Sequence, residues 1–259
     1  MTVRFLTWNI KTGGSKGRLD AVVTLLRRES PDILALQELR GFPGRRMREV
    51  AGALGMTPFL ARSVFGQSVA VLVRPPLRIV DWSGVRWRLH HAAAAVRVPT
   101  TAGQLTVVST HLNALSPYRR LREARFLAAR HRPGKGPVLL AGDLNSLDPD
   151  TDHTERLAAL SGPYRRRHTT PDGTADTRAI AAFTAAGFVD LWPKAGQGDG
   201  HTVPTTRGGG HEFSATGMRL DYLMAAPPIA ARATNARVLR GAETEYASDH
   251  YPLAVDLEL

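Results

Sequence analysis

Val138-Leu139-Leu140-Ala141-Gly142-Asp143-Leu144-Asn145-Ser146 is an apolar run that stops abruptly at polar groups. Four apolar residues closed by a glycine are too few for a helix and read as a buried strand. The carboxylate of Asp143 and the amide of Asn145 then follow the end of that strand. Side chains in such a place are held by a rigid scaffold yet face a surface loop.

The same pattern recurs outward along the chain. Val3 to Ile10 reads as a strand with Asn9 near its end, and Ile33 to Leu36 as a shorter one followed by Gln37-Glu38. His111 follows Val107-Val108-Ser109-Thr110, Asp221 lies inside the apolar stretch Leu220 to Ala225, and Asp249-His250 precede Leu253 to Leu257. Several strand ends along one sheet edge can converge on a single ligand site.

Helical periodicity separates these strands. Leu19 to Arg28 is amphipathic, Arg45 to Leu54 and the basic Tyr118 to Arg130 are helical in pattern, and Ala179 to Ala186 ends at Gly187 as a C-cap. Val69 to Val73, Leu77 to Trp82, Ala92 to Val98, Leu105 to Ser109 and Ala233 to Leu239 read as further strands, and Lys194 to Gly217 as a long loop. Alternating strands and helices place the chain in the α/β class. No repeat or linker divides it, so residues 1–259 are expected to form one domain.

Composition narrows the chemistry. Hydrophobic residues make up 43% and charged residues 22%, ordinary for a soluble globular protein. No apolar run approaches a membrane span, and Met1 to Trp8 enters a strand without a signal-peptide core, so a cytoplasmic monomer is expected. The cysteine count of 0 excludes disulfides, thiolate metal sites and cysteine nucleophiles. A net charge of +11 favours acidic partners, nucleic acid foremost, although an Ala/Arg/Gly/Pro-rich composition accounts for it equally well.

The polar residues suit phosphate chemistry. Hard cations such as Mg²⁺ take oxygen ligands, often one or two carboxylates with water completing the shell. Histidine titrates near neutrality and exchanges protons with water or a leaving oxygen, and a carboxylate partner fixes its tautomer. Each residue also has a structural reading. Glu38 could close a turn containing Arg40, Asp143 could be a turn residue, and Asn145 with Ser146 could cap a helix. His111 could be a satisfied core histidine, Asp221 could pair with Arg219, and Asp249 could cap a turn before Pro252. It is their joint order that resists such explanations.

Taken together, Thr7-Trp8-Asn9, Leu36-Gln37-Glu38, Ser109-Thr110-His111-Leu112, Gly142-Asp143-Leu144-Asn145-Ser146, Arg219-Leu220-Asp221-Tyr222 and Ser248-Asp249-His250 resemble, in order, the endonuclease/exonuclease/phosphatase (deoxyribonuclease I-like) superfamily. The resemblance implies a four-layer α/β sandwich, with two mostly antiparallel or mixed β-sheets packed face to face and helices outside. It implies a Mg²⁺ or Mn²⁺ site with Glu38 as principal ligand, helped by Asn9 and Asp249. Asp143 and Asn145 would position the attacking water and a phosphate oxygen. His250, oriented by Asp221, would serve as general base or as a charged stabiliser, and His111 would protonate or polarise the leaving oxygen. The first proton acceptor stays open within this coupled network.

Two positions depart from branches of that superfamily. His111 stands where exonuclease III-like members carry tyrosine, and it resembles deoxyribonuclease I, sphingomyelinases and several phosphatases instead. In the deoxyribonuclease I branch a glutamate supports this histidine, and Gln67 is expected in that place. Thr202-Val203-Pro204 also lacks the aromatic residue of DNA-repair members. Arg119, Arg120, Arg122 and Arg125 on one helix, and Arg165-Arg166-Arg167-His168, are candidates to track a phosphate backbone. The expected activity is hydrolysis of phosphodiester bonds in nucleic acid or a nucleotide derivative. The alternative is a phosphatase or phospholipase-type enzyme acting on a small phosphoester or lipid headgroup.

Overall fold

A computed structural model describes residues 1–210 and 217–259. Twelve strands occur among them: β1 (Thr2–Asn9), β2 (Ile33–Gln37), β3 (Thr57–Ala61), β4 (Val69–Val73), β5 (Asp81–Val85), β6 (Ala93–Thr100), β7 (Gly103–His111), β8 (Val138–Asp143), β9 (Val189–Asp190), β10 (Asp221–Ala225), β11 (Ala233–Val238) and β12 (Leu253–Glu258). They form two six-stranded sheets, ordered β11-β12-β1-β2-β4-β3 and β5-β6-β7-β8-β10-β9. Within each sheet one central pair is parallel, β1 with β2 and β7 with β8, and the other pairs are antiparallel.

The period-2 geometry of a strand sorts its side chains between two faces. Phe5, Ile33, Ala35 and Val71 of the first sheet meet Val96, Val107, Leu139 and Ala141 of the second in a shared core. The alternate residues face outward. Leu6, Trp8, Leu34 and Leu36 pack under the helices Leu19–Glu29 and Gly44–Leu54 through Val22, Leu25, Met47 and Val50. Val108, Leu140 and Met224 pack under Pro117–Arg130 and Arg178–Ala185 through Ala124, Leu127, Ile180 and Phe183. Both faces of each central strand are therefore covered, which is why those strands read as unbroken apolar runs. The result is the expected four-layer α/β sandwich.

The strand directions gather the strand-end residues. β1, β2, β7 and β8 all finish at one edge of the sandwich, and β10 begins there. Asn9 pairs in register with Gln37, His111 with Asp143, and Asp221 with that same Asp143. The site is thus written into the pairing of the central strands.

Two local expectations change, and one strand had none. The strand expected over Leu77 to Trp82 forms instead at Asp81–Val85. Leu77 and Ile79 pack on the core without strand pairing, and the pairing with β6 begins at Asp81 opposite Arg97. β3 carries no sequence expectation because Pro58 and half-exposed side chains disguise it; it is an edge strand, where proline is tolerated. The loop expected over Lys194 to Gly217 begins inside a short helix, Trp192–Ala195, and is then held by bridges such as Val203 to Met218; its part over 211–216 lies outside the described residues.

Candidate active site

Asn9 joins the two sheets. Its side-chain amide donates to Glu38 Oε1 at 3.1 Å and to Asp143 Oδ2 at 3.1 Å, so one nitrogen touches a carboxylate from each sheet. Glu38 follows β2 directly at a left-handed φ of 57°, a conformation costing a non-glycine residue about 1–3 kcal/mol. Its carboxylate also receives the backbone N–H of Thr12 at 2.9 Å and the amide of Gln67 at 3.2 Å.

Asp143 lies at the centre. Its Oδ2 stands 3.3 Å from His111 Nε2 and 3.6 Å from His250 Nε2, while Oδ1 accepts the N–H of Asn145 at 3.0 Å. The preceding Gly142 has φ 141°, and a Cβ there would collide with the carbonyl oxygen of Thr110. Glycine is what lets β8 press against β7 at this point. Asn145, also left-handed with φ 50°, turns its amide onto the carbonyl of Leu112 at 3.1 Å.

His250 is held from several directions. Its Nδ1 meets Asp221 Oδ2 at 2.7 Å, and its carbonyl accepts the indole N–H of the buried Trp8 at 2.8 Å. Ser248 Oγ accepts the His250 N–H at 3.2 Å and donates to the Asn9 carbonyl at 2.6 Å. Thr202 Oγ1 accepts the backbone N–H groups of Leu220 and Asp221 at 3.1 and 3.2 Å.

Burial opposes a charge on His250, but the carboxylates of Asp221 and Asp143 outweigh it and push the imidazole up to about 10, so it is a cation at neutral pH. Burial drives Asp143 above the usual carboxylate range, partly offset by His250 and the Asn9 amide. His111 goes the other way: burial and the neighbouring His250 bring it down to about 3, so it is neutral.

The sequence expectations about partners are corrected in places. Gln67 does not support His111: its amide serves Glu38, while Gln67 Oε1 and His111 Nδ1 are both buried and unpartnered. The ring under His111 is His91, stacked at 4.0 Å. Asp221 pairs with His250, whereas Arg219 pairs with Asp190 at 2.6 Å and Asp148 at 3.4 Å. Arg120 is not a surface cation; it is 1% exposed and donates to the carbonyls of Asn113 and Arg167. Arg165 stays exposed, with its guanidinium donating to the carbonyls of Ala158 and Leu160. Asp249 carries Lys11 Nζ at 3.0 Å, a neighbour with no forewarning in the sequence. Glu123 is another residue that sequence reading missed: from its helix it accepts the N–H groups of His90 at 2.6 Å and Asn113 at 2.7 Å, fixing the chain on either side of His111. The pair His90-His91, just before the Ala92 strand, was the one visible signal.

The donor set fits a hard cation. The two Glu38 oxygens accept three N–H bonds, and a carboxylate has about four acceptor positions, so one remains. Asn9 Oδ1 accepts only the N–H of Lys11 at 3.0 Å among the described bonds. Ligand atoms of Asp143, Asp221 and His250 also lie within 4.8 Å of one another, and Asp221 Oδ1 is buried without a partner. A protonated imidazole has no lone pair to give, however, which leaves the oxygens as the donors. A cleft of about 810 Å³ lined by Trp82, Arg97, Phe126 and Arg132 lies at the other ends of β6 to β8 and contains none of these groups.

The sequence profile of the Endonuclease/Exonuclease/phosphatase family matches residues 6–250. The chain belongs to that family. Endonuclease/Exonuclease/phosphatase family members are divalent-metal-dependent phosphoester hydrolases, and this chain is accordingly a metal-dependent phosphoesterase. Among solved structures, an endonuclease/exonuclease/phosphatase from Bacteroides vulgatus superposes with a TM-score of 0.74 at 16% identity, covering 100% of this chain and 99% of that one. A truncated Caenorhabditis elegans TDP2 gives 0.68 at 17% identity, covering 99% and 97%. A Bacteroides thetaiotaomicron mannosyl-6-phosphatase gives 0.71 at 16% identity, covering 99% and 100%. At such identities the likeness is one of fold. No curated protein matches the sequence. No helix among the described residues is long and apolar enough to cross a membrane.

Proposed function

We propose that this enzyme is a Mg²⁺- or Mn²⁺-dependent phosphodiesterase acting on nucleic acid or a nucleotide derivative. The observation that carries the reading is the Asn9 amide spanning Glu38 and Asp143, with Asp143 also set between the imidazoles of His111 and His250. Glu38 and Asn9 would hold the ion; Asp249 is the weaker candidate, because a second cation there must compete with the Lys11 ammonium. Bound there, a divalent ion supplies charge neutralisation at the phosphoryl group and acidifies a water.

The side chains divide the remaining work. Asp143 and Asn145 position the attacking water, and the raised affinity of Asp143 for protons suits it to accept one. His250, kept cationic by Asp221, stabilises the negative charge that grows on the phosphoryl oxygens rather than acting as the base. His111, neutral, offers an N–H to the leaving oxygen. The net charge of +11 suits a polyanionic substrate but does not separate it from a single phosphate group.

A substrate panel tests the reading. Single- and double-stranded DNA and RNA, mononucleotides and headgroup phosphates are incubated with Mg²⁺ or Mn²⁺. Cleavage of a polymer or nucleotide diester, lost with EDTA and with Glu38→Ala, is the expected result. Phosphate release from sugar or inositol phosphates with every diester intact would select a phosphomonoesterase instead.

A further inference from the structure

The cleft of about 810 Å³ at the far ends of β6 to β8 carries a charge pattern of its own. Asp81, Arg97, Thr106 and Val138 stand side by side in register across β5, β6, β7 and β8, and Ser83 and Ala95 form the next row on that face. Ala95 and Val138 belong to the cluster under the helices, so these rows lie on the outer face of the second sheet. The wall is the last turn of the helix Pro117–Arg130, through Phe126, Ala129 and Arg130, together with the chain that follows it from His131 to Pro137. From Thr106 to His111 the strand advances five residues, roughly 16 Å, so the cleft is separate from the acid–imidazole centre.

Its charges do not balance. Arg97, Arg130, Arg132 and Lys135 line it with a single carboxylate, Asp81, so four cations against one anion leave a net +3. Asp81 is taken up by Arg97 at 3.4 Å. Arg130, Arg132 and Lys135 have no ion pair and no side-chain hydrogen bond among the described residues. His131, on the same wall, reports the excess: burial and then the charges of Arg130 and Lys135 bring it down to about 4, and its Nε2 is buried without a hydrogen-bond partner. A cleft lined by one sign of charge focuses the field between its low-dielectric walls and concentrates counter-ions. Guanidinium and ammonium groups both bind phosphate oxygens, and the volume falls within the range of small-molecule sites.

We propose that this cleft is a second, non-catalytic binding site for a small ligand bearing a chain of phosphates, a nucleoside triphosphate or a free polyphosphate, with Arg130, Arg132 and Lys135 on its phosphate oxygens. A single phosphate group carries only about −1.5 to −2 at neutral pH and leaves part of the net +3 unmatched, whereas a triphosphate covers it. The cleft shares no residue with the catalytic centre, so it binds its ligand whichever phosphoester is cleaved there.

The test is calorimetric titration of the full chain with sodium tripolyphosphate and with ATP, in EDTA so that neither is turned over. Saturable binding of one equivalent is expected. Arg132 and Lys135 are exposed, so reversing both, Arg132→Glu with Lys135→Glu, leaves the fold intact and should weaken the Kd at least about tenfold. Two controls should keep the parent Kd: Glu38→Gln at the catalytic centre, and Arg45→Glu with Arg48→Glu on the helix over the other sheet. Equal affinity for the two ligands makes the phosphate chain the recognised group; tighter binding of ATP adds the Trp82 and Phe126 side of the cleft. Absence of saturable binding at millimolar ligand would overturn the site. So would an equal loss in the Arg45 and Arg48 control, which would mark unspecific attraction to a basic protein, or a loss in Glu38→Gln, which would place the ligand at the catalytic centre. An oligonucleotide that binds through Arg132 and Lys135 while both small ligands fail would assign the cleft to a polymer and also refute the proposal.

Discussion

Asp221→Asn isolates the charge on His250 while leaving a side chain of the same shape. In the parent protein the 2.7 Å contact with Asp221 and the nearby Asp143 hold His250 up to about 10 against its burial. Removing one partner of a buried ion pair costs about 3–5 kcal/mol, and 1.36 kcal/mol corresponds to one pKa unit, so His250 should fall by about 2–4 units, to roughly 6–8. The sign follows from the cation being the favoured form in the parent. Once its counter-charge is gone, burial dominates and the proton leaves at lower pH. If the imidazolium stabilises the phosphoryl oxygens, kcat at pH 8 should drop about 2- to 100-fold and partly recover toward pH 6, in proportion to the charged fraction. The assay is kcat against pH on the best substrate from the panel, with the His250 ring followed by NMR titration. An alkaline limb unmoved from the parent's, or a rise in activity as His250 deprotonates, would refute the stabiliser role and make His250 the base.

Three further outcomes follow from the same geometry. Glu38→Gln keeps a neutral oxygen and loses the charge, so the Mg²⁺ concentration for half-maximal activity should rise at least about tenfold, readable by metal titration. Gly142→Ala forces a Cβ into the Thr110 carbonyl at φ 141° and should destabilise the fold by more than about 2 kcal/mol, seen as a lowered Tm. His91, His111 and His168 are buried and held down to about 2, 3 and 3, chiefly by burial, against about 6.5 when unfolded. Their contribution is complete above about pH 6.5 and is lost as pH falls through the folded values, at up to about 1.4 kcal/mol per pH unit for each ring. Tm should therefore fall steeply below about pH 6; a flat Tm down to pH 4 would show that these rings are not neutral in the fold.

Much of the site was legible because each polar residue adjoins an apolar run whose burial is easy to infer. Asn9, Glu38, His111 and Asp143 could be assigned to strand ends from pattern alone, whereas Asp221 read as lying inside a strand that in fact begins with it. Which of them touch could not, since contact depends on strand order and register: Asn9 reaches Asp143 across 134 positions, between two sheets that share no backbone pairing. Side-chain reach misled the reading of Gln67, which chose the nearer carboxylate over the imidazole. Helical facing misled the reading of Arg120, because its neighbours Arg119 and Arg122 point to solvent while its own position points inward. β3 escaped notice because edge strands need not bury both faces, so its composition carries no apolar signature.

The bond from Asn9 to Asp143 crosses from one sheet to the other, so the reacting groups are aligned only while both slabs of the sandwich keep their mutual position. A substitution in the interior between them, such as Val71→Ala, can shift one slab by a fraction of an ångström without melting either. Turnover would then decline while the thermal transition stayed sharp, making catalysis a finer gauge of internal alignment than any unfolding curve.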